Sequence, residues 1–409
     1  MFMQAAEHVS IKTIPYTKVT PAEYEQRIEN ARRLMRQHGI DALLVTGEQN
    51  LRYFMSDIST PPVSTTRPRF LLIPLRGELV GIVPQGVDEY MSQTTAVKQF
   101  RTWPGPTPAD EGVTTLSTAL RELLPPNAKI GTELGAESRL GMPVGDFLRV
   151  AEAIKPQAFV DASNPIFTPL RMVKSPAEIN NLKIVNRVAS EAFQGFEGKI
   201  RQGMTQREIG RRYEYECLVG GIDKPLKIQI VSGPGGVNRY SGAAQDIVLS
   251  QGDILYLDQG CLFDNYFSDF CRYYSFGEPD RHSRDAYDIV WDATQAGVEA
   301  VKPGIRACDV WKAMADVLNT PANRGKATTV GRMGHSMGLW MPELPSIQPS
   351  DETVLQPGMI LNIEPGTSYP ATTDGSPRLM LQEEVVLVTE TGAELLTLRT
   401  PRSMPVVEA

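Results

Sequence analysis

The 409-residue sequence is poor in histidine and cysteine, the side chains on which many metal sites and nucleophilic sites depend. It holds four histidines (His8, His38, His282 and His335) and four cysteines, and no two cysteines form a CxxC pair. A zinc site made of paired cysteines is therefore not indicated. So few cysteines in a long chain favour a reducing compartment, and we expect a cytoplasmic protein.

The sequence also lacks dense runs of one charge and long apolar runs. Its formal net charge is -7 and it has no cluster of Lys and Arg, which argues against nucleic acid and anionic membranes as partners. The first residues lack a basic region followed by an apolar one, so no secretory signal is expected. No stretch of about 18 apolar residues occurs that could span a membrane.

Length and helix-start signals predict two domains. A chain of 409 residues exceeds what one ordinary core supports. Thr20-Pro21-Ala22-Glu23 is a capping box with Pro at the first helical position, and Ser175–Glu178 is another. Proline-rich turns near residues 164–169 mark the boundary. We expect an α/β domain over residues 1–165 and an α+β domain over residues 170–409, with strands at its beginning and end.

Two acids are predicted to face each other across a hairpin. Residues 252–258 form a strand that ends in Asp258, and a second strand through residues 266–273 contains Asp269. A turn centred on Phe263 and Asp264 would place Asp258 opposite Asp269, with Cβ atoms about 5 Å apart. Their flanks are apolar, and two buried carboxylates at that distance need a counter-charge. A divalent cation would supply it, whereas an exposed hairpin would leave both acids solvated.

Two further acids follow or interrupt apolar strands. Glu364 ends the apolar run of residues 359–363. A strand over residues 378–388 carries Glu383 as the one polar residue on an alternating apolar face, while Glu384 lies on the other face. Period-two logic therefore selects Glu383 as the buried acid, and a buried carboxylate requires a partner. His335 lies in a glycine-punctuated segment, predicted to be a loop, in which the backbone approaches another group closely.

Together these residues resemble the M24 metallopeptidase superfamily, whose catalytic domain has the pita-bread fold. The chain shows Asp258 eleven residues before Asp269, a D-x-x-R segment, a GHxxGL segment around His335 and an I-E-P-G strand end at Glu364. Glu383 then precedes Val388-Thr389-Glu390-Thr391-Gly392. All five elements match in order and spacing. Arg171–Ser175 resembles the R-x-x-K-S entry to the same domain, and the first 165 residues resemble the creatinase/prolidase N-terminal domain.

The resemblance implies a centre of two divalent metal ions. Asp258 would chelate one ion, Asp269 and Glu383 would bridge both, and His335 and Glu364 would complete one coordination shell. Such a ligand set suits Mn, Fe, Co or Zn. Two ions of this kind share a hydroxide that attacks the substrate, and Glu364 would shuttle the proton. Glu364 and Glu383 are thus the implied catalytic residues of a C–N bond hydrolase similar to an Xaa-Pro dipeptidase or aminopeptidase.

The chain departs from the family at two helper histidines. The segment Gly235–Ser241 lacks the first, and Pro342 stands where the second is expected. Losing such a donor to the tetrahedral intermediate costs about 2.7–4 kcal/mol. Either other side chains compensate or the substrate is not an ordinary peptide. The candidate substrate-binding residues are Arg239, Tyr240, Tyr266, Trp340, Glu343 and Arg378.

Three functions remain open at this level. The first is a dinuclear hydrolase of a dipeptide-like substrate. The second is an enzyme of the same fold that acts on a small metabolite, such as an ectoine-type hydrolase or a dimethylsulfoniopropionate-type lyase, with Trp340 and Tyr266 as cation–π faces. The third is a non-catalytic binding protein. By analogy with relatives we also expect a homodimer in which the segment from Tyr53 to Arg69 covers the partner's site.

Overall fold

The computed structural model describes residues 10–55, 65–320 and 331–408. His8 and the middle of the predicted dimer loop, residues 56–64, lie outside the described residues. The chain divides into two compact units: Lys18–Met172, and Val173–Ala409 together with the N-terminal segment up to Thr17. In the described part of the chain, no helix is both long and apolar enough to cross a membrane.

The first unit is a six-stranded mixed sheet with helices, as the sequence predicts. The strands run in the order β4-β3-β2-β1-β5-β6, and the β1–β5, β5–β6 and β3–β4 pairs are parallel. Its elements are α1 Pro21–His38, β1 Ala42–Val45, α2 Glu48–Phe54, β2 Phe70–Pro74, β3 Val80–Pro84, α3 Val87–Thr94, β4 Gln99–Trp103, α4 Val113–Leu123, β5 Lys129–Thr132, α5 Val144–Ala153, β6 Ala158–Asp161 and α6 Thr168–Met172.

The predicted helix starts at Thr20 and Ser175 are confirmed, with one of the two predicted capping-box bonds at Thr20 and both at Ser175. The side chain of Thr20 accepts from the backbone N–H of Glu23, and α1 ends at Gly39, whose φ of 63° is the left-handed conformation that glycine adopts without strain. Ser175 and Glu178 cap each other reciprocally at the start of the first long helix of the second unit. Both signals are local, which is why the sequence alone reveals them.

The second unit is α+β and contains two five-stranded sheets. One has the order β18-β10-β8-β7 with β9 paired to β8, the other β12-β11-β13-β16-β17, and β14 pairs with β15. Its elements are α7 Pro176–Phe193, α8 Gln206–Gly220, β7 Lys224–Pro234, β8 Asp253–Phe263, β9 Tyr266–Phe267, β10 Phe270–Phe276, α9 Arg281–Ala300, α10 Ala307–Leu318, β11 Gly334–Ser336, β12 Glu343–Ser346, β13 Ile360–Ile363, β14 Gly366–Pro370, β15 Pro377–Leu381, β16 Glu384–Val388, β17 Ala393–Leu395 and β18 Val406–Val407.

The predicted hairpin forms, but its register was wrong by two residues. The turn lies at Asp264 and Asn265, whose φ values of 47° and 67° are left-handed. Asp258 therefore pairs with Cys271 instead of Asp269, and β8 continues through Asp258 to Phe263. A shift of two residues keeps every side chain on its face, so the two acids remain on one face as diagonal neighbours.

Two other local predictions also need correction. Residues 378–388 are not one strand: β15 ends at Leu381 and β16 begins at Glu384, so Glu383 lies in the break between them. His335 lies in the short strand β11, paired with β12 and β13, and not in a loop. In both cases the neighbouring strands, which the local sequence does not reveal, decide where backbone pairing begins and ends.

Candidate metal centre

Strands from both sheets of the second unit, and the connections between them, position the five predicted ligands. Asp258 lies within β8, and Asp269 lies in the step between β9 and β10. His335 is the middle residue of β11, and Glu364 follows directly after β13. Glu383 lies just before β16. The chain thus brings together five side chains that are as far as 125 positions apart (383 minus 258) in the sequence.

The structure places these five side chains in one cluster. Carboxylate oxygens of Asp258, Asp269 and Glu383 lie within 4.8 Å of one another. The Nε2 atom of His335 is 3.5 Å from Oδ2 of Asp269 and 3.9 Å from Oε1 of Glu364. The side chain of Glu364 is 15% exposed, and the other four residues are buried. Glu364 is therefore the member of the cluster nearest to solvent.

A lysine that the sequence patterns do not indicate completes the cluster. The Nζ atom of Lys227, on β7, lies 2.9 Å from Oδ2 of Asp258 and 3.0 Å from Oδ1 of Asp269. Burial would lower the pKa of Lys227, but the charges of Asp269 and Asp258 outweigh it and raise the pKa. The ammonium therefore stays charged and supplies part of the counter-charge.

Burial raises the pKa values of two of the carboxyl groups, those of Asp258 and Glu383. Desolvation raises the pKa of Asp258 to about 7, against the opposing charge of Lys227. Desolvation also raises the pKa of Glu383 well above its usual value, and the charges of Asp258 and Glu364 add to that effect. Keeping both groups ionised near neutral pH needs more positive charge than Lys227 provides.

Asp269 and His335 form a pair at the centre of the cluster. Burial would raise the pKa of Asp269, but Lys227 and the hydrogen bond from His335 lower it. Burial would lower the pKa of His335, but the hydrogen bond to Asp269 and the charge of Glu364 raise it. A divalent cation could take the place of the His335 proton between the two side chains.

The residues fit a metal site because they are typical metal ligands and because two of their buried oxygens have no hydrogen-bond donor among the described residues. Oδ1 of Asp258 and Oε2 of Glu383 are buried and accept no hydrogen bond from the described residues. Buried carboxylate oxygens of this kind are costly unless a cation or donor reaches them. The Nδ1 atom of His335 lies 2.9 Å from the carbonyl oxygen of Ser336, which leaves Nε2 directed at the cluster.

Glu384, the acid that period-two logic assigned to the other face, is also fully buried. The prediction that Glu383 alone would be the buried acid was therefore wrong. One oxygen of Glu384 lies 3.2 Å from Nη2 of Arg272, and the other lies 3.1 Å from Nη1 of Arg399. The sheet is covered on both faces, so burial alone does not separate the two acids. Their partners do, because Glu384 faces arginines and Glu383 faces carboxylates.

Tyr240 and Arg378 adjoin the strands around the cluster. The Tyr240 hydroxyl donates to the carbonyl oxygen of Met380 at 3.2 Å and lies 3.1 Å from where a Cβ on Gly366 would be. Nε of Arg378 donates to the carbonyl oxygen of Pro234 at 3.2 Å. Arg239 is exposed. Among these candidates, Tyr240 is linked to the cluster through Gly366, which lies two positions after Glu364 in the chain.

The other three candidates for substrate binding contact protein groups. Glu343 lies 3.4 Å from Nζ of Lys174 and accepts from the backbone N–H of Trp340 at 3.0 Å. The ring of Trp340 packs edge-on against Phe267 at 5.7 Å. The hydroxyl of Tyr266 donates to Glu178 at 3.3 Å.

Lys227 could have been found from the sequence only with the strand register in hand. It alternates with Gln229, which pairs with Asp258, so the two lie on the same face of β7. The only local signal is a lysine within an apolar segment before β8.

Comparison with known proteins identifies the family of both domains. The profile of metallopeptidase family M24 matches residues 180–390, and that of the creatinase/prolidase N-terminal domain matches residues 27–173. An Xaa-Pro dipeptidase of Pyrococcus furiosus is 30% identical over 271 residues, which are 66% of this chain and 75% of the relative.

Solved structures show the same fold over nearly the whole chain. Dipeptidase PepE from Mycobacterium ulcerans matches with a TM-score of 0.79 and 26% identity, over 96% of this chain and 100% of that one. A prolidase from Thermococcus sibiricus matches with a TM-score of 0.81 over 94% and 99%; at 24% identity it shows the fold alone. The predicted fold class, a creatinase-like α/β domain followed by a pita-bread domain, is confirmed. The chain belongs to metallopeptidase family M24 and is a hydrolase of that type.

Proposed function

We propose that this protein is a metal-dependent dipeptidase that cleaves the C–N bond of Xaa-Pro or similar dipeptides. The observation that carries the proposal is the cluster of buried acids, in which oxygens of Asp258, Asp269 and Glu383 approach within 4.8 Å. Two relatives that are each 30% identical over 66% of this chain are named Xaa-Pro dipeptidases. A binding module has no need for two neighbouring buried carboxyl groups, Asp258 and Glu383, whose pKa values are raised by burial, because such groups destabilise the fold that holds them.

We further propose that the cluster holds two divalent ions of the Mn, Fe, Co or Zn group. Asp258 would hold the first, His335 and Glu364 the second, and Asp269 and Glu383 would contact both. Bound ions of this kind lower the pKa of water and polarise a substrate carbonyl. The buried oxygens of Asp258 and Glu383 that accept no hydrogen bond from described residues support this assignment.

Glu364 is proposed to move the proton. Its side chain is the most exposed of the five, and it lies beside Glu383, whose pKa is raised in part because protonated Glu383 can donate a hydrogen bond to Glu364. A carboxylate at the edge of the cluster can accept a proton from the attacking water and deliver it to the leaving amine, as general acid–base catalysis requires. The chain places it directly after β13, which keeps its backbone fixed.

Tyr240 is proposed to assist the substrate carbonyl in place of the missing histidine. It stands in the segment where peptidases of the family carry the first helper histidine, and its ring packs 5.8 Å from Tyr256. A phenolic O–H can donate to a developing oxyanion as an imidazole N–H does. This assignment asks the hydroxyl to exchange its bond with Met380 for one with substrate.

A second function is supported by the same departures. Pro342 occupies the position of the other helper histidine, so the site has fewer donors than a typical peptidase of the family. A small metabolite needs fewer contacts along its length than a peptide does. An ectoine-type hydrolase or a dimethylsulfoniopropionate-type lyase is therefore the alternative. The predicted homodimer stays a prediction.

A substrate panel tests the proposal. The purified protein, loaded with Mn²⁺ or Zn²⁺, is incubated with Xaa-Pro dipeptides, with dipeptides that lack proline, and with ectoine and dimethylsulfoniopropionate. We expect turnover of Xaa-Pro dipeptides, and its loss in Glu364→Gln, which keeps the shape of the side chain but cannot accept a proton. Absence of dipeptide cleavage by the metal-loaded protein would contradict the first function, and cleavage of either metabolite would establish the alternative.

A further inference from the structure

Lys227 occupies the place between two proposed metal ligands. Its Nζ atom lies 2.9 Å from Oδ2 of Asp258 and 3.0 Å from Oδ1 of Asp269. These distances are typical of charge-assisted hydrogen bonds. A divalent ion held by the same two oxygens would lie within a few ångströms of the ammonium and would be repelled by it.

The position of Lys227 is built into the strand pairing. Lys227 pairs with Gly260 across β7 and β8, after a bulge between Pro225 and Lys227. A Cβ on Gly260 would lie 3.3 Å from Cβ of Lys227 and 2.5 Å from Cε of Met341. The missing side chain therefore leaves room for the lysine stem to cross toward Asp258, and the geometry does not depend on a mobile surface loop.

The two halves of the cluster use different oxygens of Asp269. Lys227 contacts Oδ1 of Asp269, whereas Nε2 of His335 lies 3.5 Å from Oδ2 of the same carboxylate. His335 also lies 3.9 Å from Glu364. The half formed by His335 and Glu364 can thus accept an ion without displacing the lysine, and the half formed by Asp258 cannot.

Lys227 has a route out of the cluster. Its side chain is 28% exposed, although those of Asp258 and Asp269 are 7% exposed. A lysine has four rotatable bonds, and its ammonium is readily hydrated, so it can turn toward water without unfolding the strand. Breaking the contacts of the ammonium with two carboxylates costs free energy, and the binding of the metal ion that replaces it must offset that cost.

We propose that Lys227 is a displaceable internal cation that makes metal loading sequential. The position at His335, Glu364 and Oδ2 of Asp269 fills first, with Lys227 in place. The position at Asp258 and Oδ1 of Asp269 fills second and more weakly, because the ammonium must leave. This inference rests on the proposed two-ion centre, and it makes Lys227 a positioning residue whose effect is on metal affinity.

The test is a titration of metal-free protein with Mn²⁺ alone. Calorimetry measures the binding steps, and electron paramagnetic resonance detects coupled Mn pairs. Wild type should show two steps, with the coupled signal only in the second. Lys227→Met, which keeps the length of the stem and removes the charge, should tighten the second step at least tenfold and leave the first within about twofold. Lys224→Met, at the exposed start of the same strand, should behave as wild type.

Thermal unfolding provides a readout that does not depend on affinity. Metal-free Lys227→Met should melt below wild type, because two buried carboxylates lose their partner, and saturating Mn²⁺ should narrow or close the gap. Lys227→Arg retains the charge and should keep the two steps. Should Lys227→Met fold only with Mn²⁺, Lys227→Gln takes its place in the titration, and an unchanged second step in that variant would overturn the proposal.

Two results would overturn the inference: one undivided two-ion step in wild type, or an unchanged second step in Lys227→Met. Neither involves a substrate. Failure of dipeptide cleavage, by contrast, would leave the order of metal loading intact, so the two proposals are judged separately.

Discussion

The two ring nitrogens of His335 have different partners: Nε2 lies 3.5 Å from Oδ2 of Asp269, and Nδ1 lies 2.9 Å from the carbonyl oxygen of Ser336. The carbonyl can only accept, so Nδ1 keeps its proton, and Nε2 is the nitrogen that can exchange the proton it shares with Asp269 for a metal ion. The backbone of β11 thereby sets both the orientation and the tautomer of the ring.

Replacing His335 with Ala should weaken binding of Co²⁺ by at least about tenfold, because the cluster loses its nitrogen ligand and keeps oxygens alone. The visible absorption of bound Co²⁺ should change as well, since it reports the ligand set. The matched control is His282→Ala, which removes an exposed histidine whose Nδ1 lies 3.0 Å from the Pro370 carbonyl oxygen. Equal Co²⁺ spectra in wild type and His335→Ala would contradict the assignment.

Asp269→Ala should strip at least one metal ion and abolish activity, because this carboxylate is shared by both halves of the cluster. Elemental analysis of the purified variant measures the metal content. Glu390→Ala is the control, since Glu390 is an exposed acid only seven positions after Glu383. Retention of the full metal complement by Asp269→Ala would refute the proposed site.

Neighbouring acids Glu383 and Glu384 should respond in opposite ways to substitution by Gln. Glu384→Gln should lower the free energy of unfolding by about 3 kcal/mol and leave the metal content unchanged, because it breaks buried pairs with Arg272 and Arg399. Glu383→Gln should lose metal, and it should stabilise the metal-free protein, because it removes a buried carboxylate whose pKa is raised. Denaturant unfolding and elemental analysis, run on both variants, separate the roles; loss of metal in both would show that they do not differ.

Metal affinity should rise with pH through neutrality. In the metal-free protein the pKa of Asp258 is raised by burial to about 7, so below that pH an ion must displace a proton. As the pH is lowered below about 7, affinity for Mn²⁺ should fall by about tenfold per pH unit for each proton that the ion displaces. Calorimetry at pH 6, 7 and 8, in two buffers of different ionisation enthalpy, counts those protons. A pH-independent affinity would contradict the raised pKa.

The same shift has a defined effect on the stability of the metal-free fold. An unfolded aspartate titrates near ~3.9, below the value of about 7 for folded Asp258. The folded state therefore binds this proton more tightly. The stabilising contribution of this proton to the free energy of unfolding is fully present below pH ~3.9 and is lost as the pH rises through about 7. Asp258→Asn should flatten this part of the stability profile.

Local patterns in the sequence were enough to predict the candidate ligands and to locate the helix starts. Capping at Thr20 and Ser175 involves residues within one turn, so no distant contact can change it. The order and spacing of Asp258, Asp269, His335, Glu364 and Glu383 carried the family resemblance, and the structure brings all five into one cluster. The hairpin register was wrong, yet the shared face survived because a shift of two residues preserves side-chain alternation.

Only the tertiary structure decided which charges meet. Glu383 and Glu384 are both buried, and they differ because Glu384 pairs with Arg272, on β10, and with Arg399, which lies fifteen positions further along the chain. Lys227 reaches Asp258 and Asp269 only because β7 pairs with β8 and Gly260 leaves space beside it. Side-chain alternation is a property of one strand and can be read from its residues. The partner of a buried charge depends on how strands pair and pack, and the residues around the charge do not encode that by themselves.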